Sequence, residues 1–277
     1  MSITDIKGSF KLNNGVEMPY LGLGVFELDN GDEGINIIKY ALEVGYRHID
    51  TASFYHNESS VGDAIRQSNV DRKEIFVTSK VWNSEQGYDK TLKSFDDSLN
   101  RLGFEYLDLY LVHWAVKGKY VDTWKALEHL YKEGRVKAIG VSNFLIHHIE
   151  DILQSGEVVP MVNQVEFHPR LMRKDLMNFC KEHNIQYEAW APLMQGKILT
   201  HDTIKKLADK YSKTPAQIII HWDIQNGVVT IPKSSRKERV LSNSQIFDFE
   251  LSADEMNLIN DLDRNEGLGP DPDNVTW

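Results

Sequence analysis

The sequence repeats one local pattern along its length: an amphipathic helical stretch, a glycine, and then a short run of mostly apolar residues. Four repeats are plain, with the apolar runs following Gly45, Gly103, Gly134 and Gly227. Glycine just past a helix accepts the left-handed backbone that closes the last turn, and nearly continuous apolar strands are those covered on both faces. The pattern therefore predicts an α/β fold with a parallel sheet.

Extending this pattern over the whole chain gives eight strands, at residues 21–25, 47–50, 76–80, 107–113, 138–142, 162–166, 186–191 and 228–232. The turn signal Asn13-Asn14-Gly15 adds an N-terminal β-hairpin. Eight strands with intervening helices close best as a single (β/α)8 TIM barrel with extra peripheral helices, for which roughly 250 residues are typical. No proline-rich or serine-rich linker divides the 277 residues, so we expect one domain over 1–277.

A doubly wound nucleotide-binding sheet is the alternative architecture. Its glycine fingerprint is incomplete here, because Gly22-Leu23-Gly24 continues without the third glycine. A phosphate loop with Gly-Lys followed by Ser or Thr is also missing from the sequence.

Charge and composition limit the partners. The formal net charge of −10 repels nucleic acid, and no apolar run approaches the roughly 20 residues that cross a membrane. The first residues lack a secretory pattern, and the single cysteine, Cys180, allows neither an internal disulfide nor a thiol-rich metal site. We therefore expect a cytoplasmic protein with no bound metal, no nucleic-acid partner and no membrane contact.

Polar residues end most of the predicted strands. In a barrel enzyme the active site lies at the carboxyl ends of the strands. Any one such residue is more often structural, but side chains that end consecutive strands converge on one mouth. The residues concerned are Asp50, Lys80, His113, Ser142, Asn143, Gln164, Glu166 and Lys233.

Six segments in register resemble successive signatures of the aldo-keto reductases. They are DTASFY at 50–55, TSKVW at 78–82, LVHW at 111–114, IGVSNF at 139–144, NQVEFHP at 163–169 and IPKS at 231–234. The resemblance spans nearly the whole chain, and the tail GPDPDN at 269–274 is similar to the short microbial members. It implies reduction of aldehydes and ketones with NADPH.

The resemblance also implies a catalytic tetrad of Asp50, Tyr55, Lys80 and His113. Hydride transfer to a carbonyl builds negative charge on its oxygen, which Tyr55 would neutralise with a proton. Lys80 would lower the pKa of Tyr55 toward working pH, and Asp50 would keep Lys80 charged and oriented. His113 would position the substrate oxygen by a hydrogen bond.

For NADPH/NADP+ the resemblance implies one residue set for each part of the cofactor. Ser142, Asn143 and Gln164 would bind the nicotinamide carboxamide, and Trp190 would stack on the nicotinamide ring. Lys233, Ser234 and Arg239 would bind the 2′-phosphate, with Arg236 as a helper. Asn243 would contact the adenine. Two structural alternatives stay open: Trp190 as barrel packing, and the basic run at 233–239 as a solvated helix start. Asn243 is chosen because Ser242 stands where many relatives have glutamate.

Phe26, Trp82 and Trp114, together with His113, are expected to line the substrate mouth, with plain core packing as the alternative. Val25, His56 and Ala115 depart from the common family pattern without touching the tetrad. The expected partner is a small carbonyl compound, and a monomer is the family's common state.

Two other function classes stay open. Lys80 could form a Schiff base as in aldolases, and the chain could be a nicotinamide-binding regulatory module.

Overall fold

The computed structural model describes residues 3–275, so residues 1–2 and 276–277 of the predicted domain lie outside the described residues. The chain begins with the predicted antiparallel hairpin, β1 (Ser9–Lys11) and β2 (Glu17–Pro19). Gly15 in its turn has a φ of 89°, a conformation open to glycine because it lacks Cβ. The amides of Asn13 and Asn14 donate to the backbone carbonyls of Pro160 and Lys137, which fixes the hairpin across the amino ends of the barrel.

Eight parallel strands follow, and their order in the sheet is their order in the sequence. They are β3 (Leu23–Gly24), β4 (His48–Asp50), β5 (Phe76–Val81), β6 (Leu107–Val112), β7 (Val136–Ser142), β8 (Val162–Glu166), β9 (Gln186–Trp190) and β10 (Val229–Thr230). All eight predicted strands are confirmed. The first and last are shorter than predicted.

The two short strands lie where the sheet closes on itself. Leu21 pairs in parallel with Thr230, and Gly24 with Lys233, as isolated bridges outside the regular ladder. The Gly22 N–H donates to the carbonyl of Thr230 at 2.9 Å. The predicted (β/α)8 barrel is therefore confirmed, and the doubly wound alternative, an open sheet, is wrong.

Helices surround the barrel, with further helices near the carboxyl end of the chain. They are α1 (Asp32–Glu43), α2 (Glu58–Arg66), α3 (Tyr88–Leu102), α4 (Tyr120–Lys132), α5 (Ile146–Ser155), α6 (Lys174–Glu182), α7 (Asp202–Tyr211), α8 (Pro215–Gln225), α9 (Lys237–Ser244) and α10 (Ala253–Asn260). The four glycines expected to end helices have φ of 111° at Gly45, 68° at Gly103, 71° at Gly134 and 76° at Gly227.

The inside of the barrel is polar near the carboxyl ends of its strands. Side chains alternate along a strand, so His48 and Asp50 share one face of β4. A barrel interior is usually filled by branched aliphatic side chains. Here five polar side chains, none more than 1% exposed, occupy it: His48, Asp50, Lys80, Gln164 and Glu188. Buried polar groups are costly unless most of their hydrogen bonds are made, so this cluster marks a candidate site.

Candidate active site

Lys80 on β5 is the centre of the polar cluster. Its Nζ lies 2.6 Å from Oδ1 of Asp50, 3.0 Å from the carbonyl of Thr51 and 3.2 Å from the phenol oxygen of Tyr55. These three acceptors match the three N–H groups of an ammonium. Burial alone would lower the pKa of Lys80, but Asp50 and Tyr55 together raise it to about 12. Lys80 is therefore a fully buried cation, held in one orientation.

Tyr55 lies in a short 3-10 helix, Ser53–Tyr55, directly after β4, and its side chain is partly exposed. Burial raises the pKa of the phenol above its usual value, and the opposing charge of Lys80 offsets this only in part. Lys80 lowers the pKa of Tyr55 as expected, but burial outweighs the cation, so the net pKa is raised and does not fall toward working pH. Tyr55 is a neutral phenol at pH 7, the form that can donate a proton.

His113 follows β6 and faces Tyr55 across the mouth. Its ring centroid lies 5.8 Å from that of Tyr55 and 5.0 Å from that of Trp82, both in edge-on geometry. Burial, and then the charge of Lys80, lower the pKa of His113 well below its usual value. Its Nδ1 is buried and has no hydrogen-bond partner among the described residues. His113 is thus a neutral imidazole, which can donate one hydrogen bond and accept another.

A second carboxyl group lies in the same cluster, and sequence reasoning missed it. Glu188 on β9 is fully buried, and its Oε2 accepts a hydrogen bond of 2.9 Å from Nε2 of Gln164. The same nitrogen donates to Oδ2 of Asp50 at 2.8 Å. The available signal was a glutamate between Tyr187 and Ala189 in the middle of a predicted barrel strand.

Asn143 ties together residues predicted for the nicotinamide side. Its Oδ1 accepts from the Trp190 indole at 2.8 Å, and its Nδ2 donates to the His113 carbonyl and to Oγ of Ser142. The carbonyl oxygen of the Gln164 side chain must point away from the two carboxyl groups that its nitrogen binds. The structure therefore leaves an amide acceptor on Gln164 and the Ser142 hydroxyl proton for a carboxamide. That Asn143 binds the carboxamide stays a prediction, since its side chain is used internally here.

The predicted phosphate site is a cluster of exposed basic side chains after β10. Lys233 and Arg239 are exposed, and neither they nor Arg236 has an acidic partner within 4.0 Å in residues 3–275. Ser234 is buried, and its hydroxyl accepts from the backbone N–H of Arg236 at 3.1 Å. Unpaired cations in an acidic protein fit an anionic ligand. In the next helical turn, the amide of Asn243, which is 5% exposed, has no partner in the described chain, and that it contacts adenine stays a prediction.

Aromatic side chains form the outer mouth. Phe26 is 47% exposed and lies with its ring 4.9 Å from that of Tyr55. Trp82 is partly exposed, and Phe54 stacks on it at 3.8 Å with an interplanar angle of 17°. Sequence reasoning missed Phe54 as a mouth residue, although it lies in the same 3-10 helix as Tyr55. Trp114 is only 7% exposed, so most of its surface packs inside the protein.

The chain after α10 returns to the mouth. Both oxygens of the Glu166 carboxylate accept backbone N–H groups from this segment, at 2.5 Å from Leu268 and 3.0 Å from Gly269. A Cβ on Gly269 would fall 2.6 Å from the Trp190 ring, so the segment needs glycine there to lie against the indole. Burial would raise the pKa of Glu166, but the hydrogen bonds from His168 and these N–H groups outweigh it and lower it. Glu166 therefore docks the tail as an anion.

His147, His148 and Asp273 form a second contact between the tail and the barrel. Nε2 of His147 and of His148 lie 2.9 and 3.4 Å from Oδ1 of Asp273. Nδ1 of His148 accepts the Leu145 N–H, so the ring proton of the neutral form lies on Nε2 and points to Asp273. These hydrogen bonds hold the tail near Asp273 against α5.

Within residues 3–275, no helix combines the length and apolarity needed to cross a membrane.

Comparisons with known proteins identify what this constellation resembles. The model of the aldo/keto reductase family matches residues 20–264. The chain is 54% identical over 274 residues to glyoxal reductase of Bacillus subtilis (strain 168), covering 99% of each chain. An aldo-keto reductase from a Medee basin deep-sea metagenome superposes with a TM-score of 0.95 at 48% identity, over 97% of this chain and 100% of that one. A mutant of a protein named Gox0644, solved in complex with NADPH, gives a TM-score of 0.93 at 44% identity, over 97% and 98%.

Proposed function

The chain belongs to the aldo/keto reductase family and is an NADPH-dependent oxidoreductase, and we propose that it reduces small aldehydes and ketones with Tyr55 as proton donor. The observation that carries the proposal is the buried Lys80 ammonium between Asp50 and the Tyr55 phenol. NADPH supplies the hydride. The protein's part is to hold the carbonyl and deliver a proton to its oxygen.

The residues divide this work between them. Tyr55 gives its proton to the carbonyl oxygen, and the phenolate that remains is stabilised by the nearby Lys80 cation. Asp50 keeps that cation charged and aimed. His113, a neutral imidazole at the mouth, donates a hydrogen bond to the same oxygen and so fixes its distance from Tyr55.

The aromatic rim and the docked tail support small substrates. Phe26, Phe54 and Trp82 give the entrance an apolar lining, and the segment at Gly269 covers the Trp190 side. We propose small aldehydes, including the glyoxal after which the Bacillus relative is named, ahead of bulky steroid ketones. Steroids with the highest kcat/KM in a carbonyl panel would contradict this assignment.

A Schiff-base function is disfavoured by the charge on Lys80. Imine formation needs a neutral amine, whereas Asp50 and Tyr55 raise the pKa of Lys80 to about 12. A purely regulatory role predicts no turnover, so one carbonyl assay distinguishes it from the enzyme.

The direct test is Tyr55→Phe, which removes only the phenol hydroxyl. We expect turnover of glyoxal to be lost while NADPH affinity changes little, because the proton donor is gone and the cofactor contacts remain. NADPH consumption by absorbance and NADPH binding by titration provide the two readouts. Tyr88→Phe, at an exposed tyrosine on α3, is the matched control. Turnover in Tyr55→Phe equal to that of the control would refute Tyr55 as the donor.

A further inference from the structure

Glu188 is a buried carboxyl group to which the mechanism above gives no role. It lies on β9 directly beside Gln164 of β8 in the strand register. The amide nitrogen of Gln164 bridges Oε2 of Glu188 and Oδ2 of Asp50, and the other oxygen of Asp50 binds Lys80. Glu188 is therefore connected to the cation beside Tyr55 through one amide and one carboxylate.

The charges around Glu188 do not balance if it is ionised. Across the barrel interior, β4 contributes His48 and Asp50, β5 contributes Lys80, and the 3-10 helix after β4 contributes Tyr55. The two strands beside β9 contribute uncharged residues, Gln164 from β8 and Val229 from β10. Burial, and then the charge of Lys80, lower the pKa of His48 to about 3, so that ring is neutral. Among these neighbours, Lys80 is thus the single cation facing two carboxyl groups, and it is in contact with Asp50.

The contacts of Glu188 favour the protonated acid. Its Oε1 is buried without a hydrogen-bond partner among the described residues, and Nε2 of His48 lies 3.8 Å away. An unpaired oxygen is far less costly in a neutral acid than in a carboxylate. Burial, and then the charge of Asp50, raise the pKa of Glu188 to about 8.

We propose that Glu188 is a positioning residue that stays protonated while the site works, and that its ionisation in alkaline solution slows reduction by adding a second negative charge beside Asp50 and Lys80. The inference rests on the proposed role of Tyr55. As an anion, Glu188 opposes the formation of the Tyr55 phenolate, because both charges draw on one cation. The proton of Glu188 leaves to solvent. Oε2 of Glu188 accepts the hydrogen bond from Gln164 in both protonation states.

The protonation state can be read without turnover. The carbonyl stretch of a protonated carboxyl group appears in the infrared spectrum, and Glu188→Gln should remove one such band at pH 7. Asp223→Asn is the matched control, because Asp223 is also fully buried, burial raises its pKa, and it binds Thr230 outside this cluster. In the Asp223→Asn protein the remaining band should titrate away near pH 8. The absence of this band at pH 7 in the Asp223→Asn protein would overturn the proposal. The measurement on Asp223→Asn does not depend on whether Glu188→Gln folds.

The kinetic consequence is tested by the pH dependence of kcat with saturating NADPH and glyoxal. The protonated fraction of a group with a pKa of about 8 falls about tenfold from pH 7 to pH 9. We expect kcat of the unmodified protein to fall by up to that factor, and kcat of Glu188→Gln to fall less than about threefold. Asp223→Asn should keep the unmodified profile. If Glu188→Gln loses the infrared band but its kcat depends on pH as in the unmodified protein, the positioning role is overturned. If Tyr55→Phe stays active, the proton donor is wrong, whereas the infrared result on Glu188 still stands.

Discussion

Replacement of Arg239 by alanine is expected to weaken NADPH binding selectively over NADH. Arg239 is exposed on α9, the helix that follows Lys233 and Ser234 in the chain, and makes no ion pair in the part of the chain that the structure describes. NADPH differs from NADH by the 2′-phosphate, and a guanidinium can donate two parallel hydrogen bonds to it. The substitution should therefore remove a ligand contact without breaking a contact inside the protein.

The size of the effect follows from that chemistry. A hydrogen bond to a charged group contributes about 1.5–3 kcal/mol, which corresponds to a rise in Kd for NADPH of about 10- to 150-fold. The Kd for NADH should change less than about twofold. Because Arg239 is exposed and unpaired, the free energy of unfolding should stay within about 0.5 kcal/mol of the unmodified protein.

Fluorescence titration of both cofactors, together with urea unfolding, gives the three numbers. Lys237→Ala is the matched control, since it removes the same charge from the same helix but its ammonium lies over the Tyr40 ring at 5.2 Å. Equal losses for NADPH and NADH in Arg239→Ala would refute the 2′-phosphate assignment. An equal NADPH loss in Lys237→Ala would show that only the summed positive charge of the cluster matters.

Two further substitutions test the mouth. His113→Ala should raise KM and lower kcat for glyoxal while leaving measurable activity, because a positioning hydrogen bond is lost but the proton donor remains. Steady-state kinetics at one pH would show both changes, and an unchanged KM would contradict the role of His113. Glu166→Gln should loosen the tail and speed limited proteolysis near residues 268–274, because one charge-assisted acceptor of two backbone N–H groups is weakened. Because the pKa of Glu166 is lowered in the folded protein, the tail should stay docked at neutral pH and be released as the pH falls below the ordinary carboxyl range. If proteolysis of the tail in the unmodified protein does not change with pH, Glu166 does not dock the tail as an anion.

The barrel and the positions of most site residues could be predicted because both follow from local rules. Apolar runs after glycines fix the strands, and parallel strands bring their carboxyl ends to one mouth, so Asp50, Lys80 and His113 had to converge. Phe54 escaped prediction because its stacking on Trp82 depends on how the short 3-10 helix after β4 lies against the segment after β5, and no periodic pattern in the sequence encodes that placement. The docking of the tail on Glu166 joins residues 102 positions apart in the chain, a distance over which local pattern gives no information.

The net direction of the Tyr55 pKa shift could not be predicted for a different reason. Sequence supplies the neighbouring charge, Lys80, but the opposing contribution comes from burial, which depends on how the barrel and the loops around it pack. The same holds for Glu188. Its glutamate is visible in the sequence, whereas the amide that joins it to Asp50 is a product of the register between β8 and β9.

The backbone at the mouth departs from its ordinary preferences where the site requires it. Four non-glycine residues in the segments that follow barrel strands have left-handed φ: 58° at Glu27, 55° at His56, 60° at Asn143 and 52° at Ala191. Such a conformation costs of order 1 kcal/mol for a residue other than glycine, although asparagine adopts it more readily. At Asn143 a glycine would relieve the strain, but it would remove the amide that receives the Trp190 N–H and donates to the His113 carbonyl. The asparagine is therefore explained by its hydrogen bonds to two mouth residues at once. At such positions, local helix, strand and turn propensities predict the backbone conformation least well.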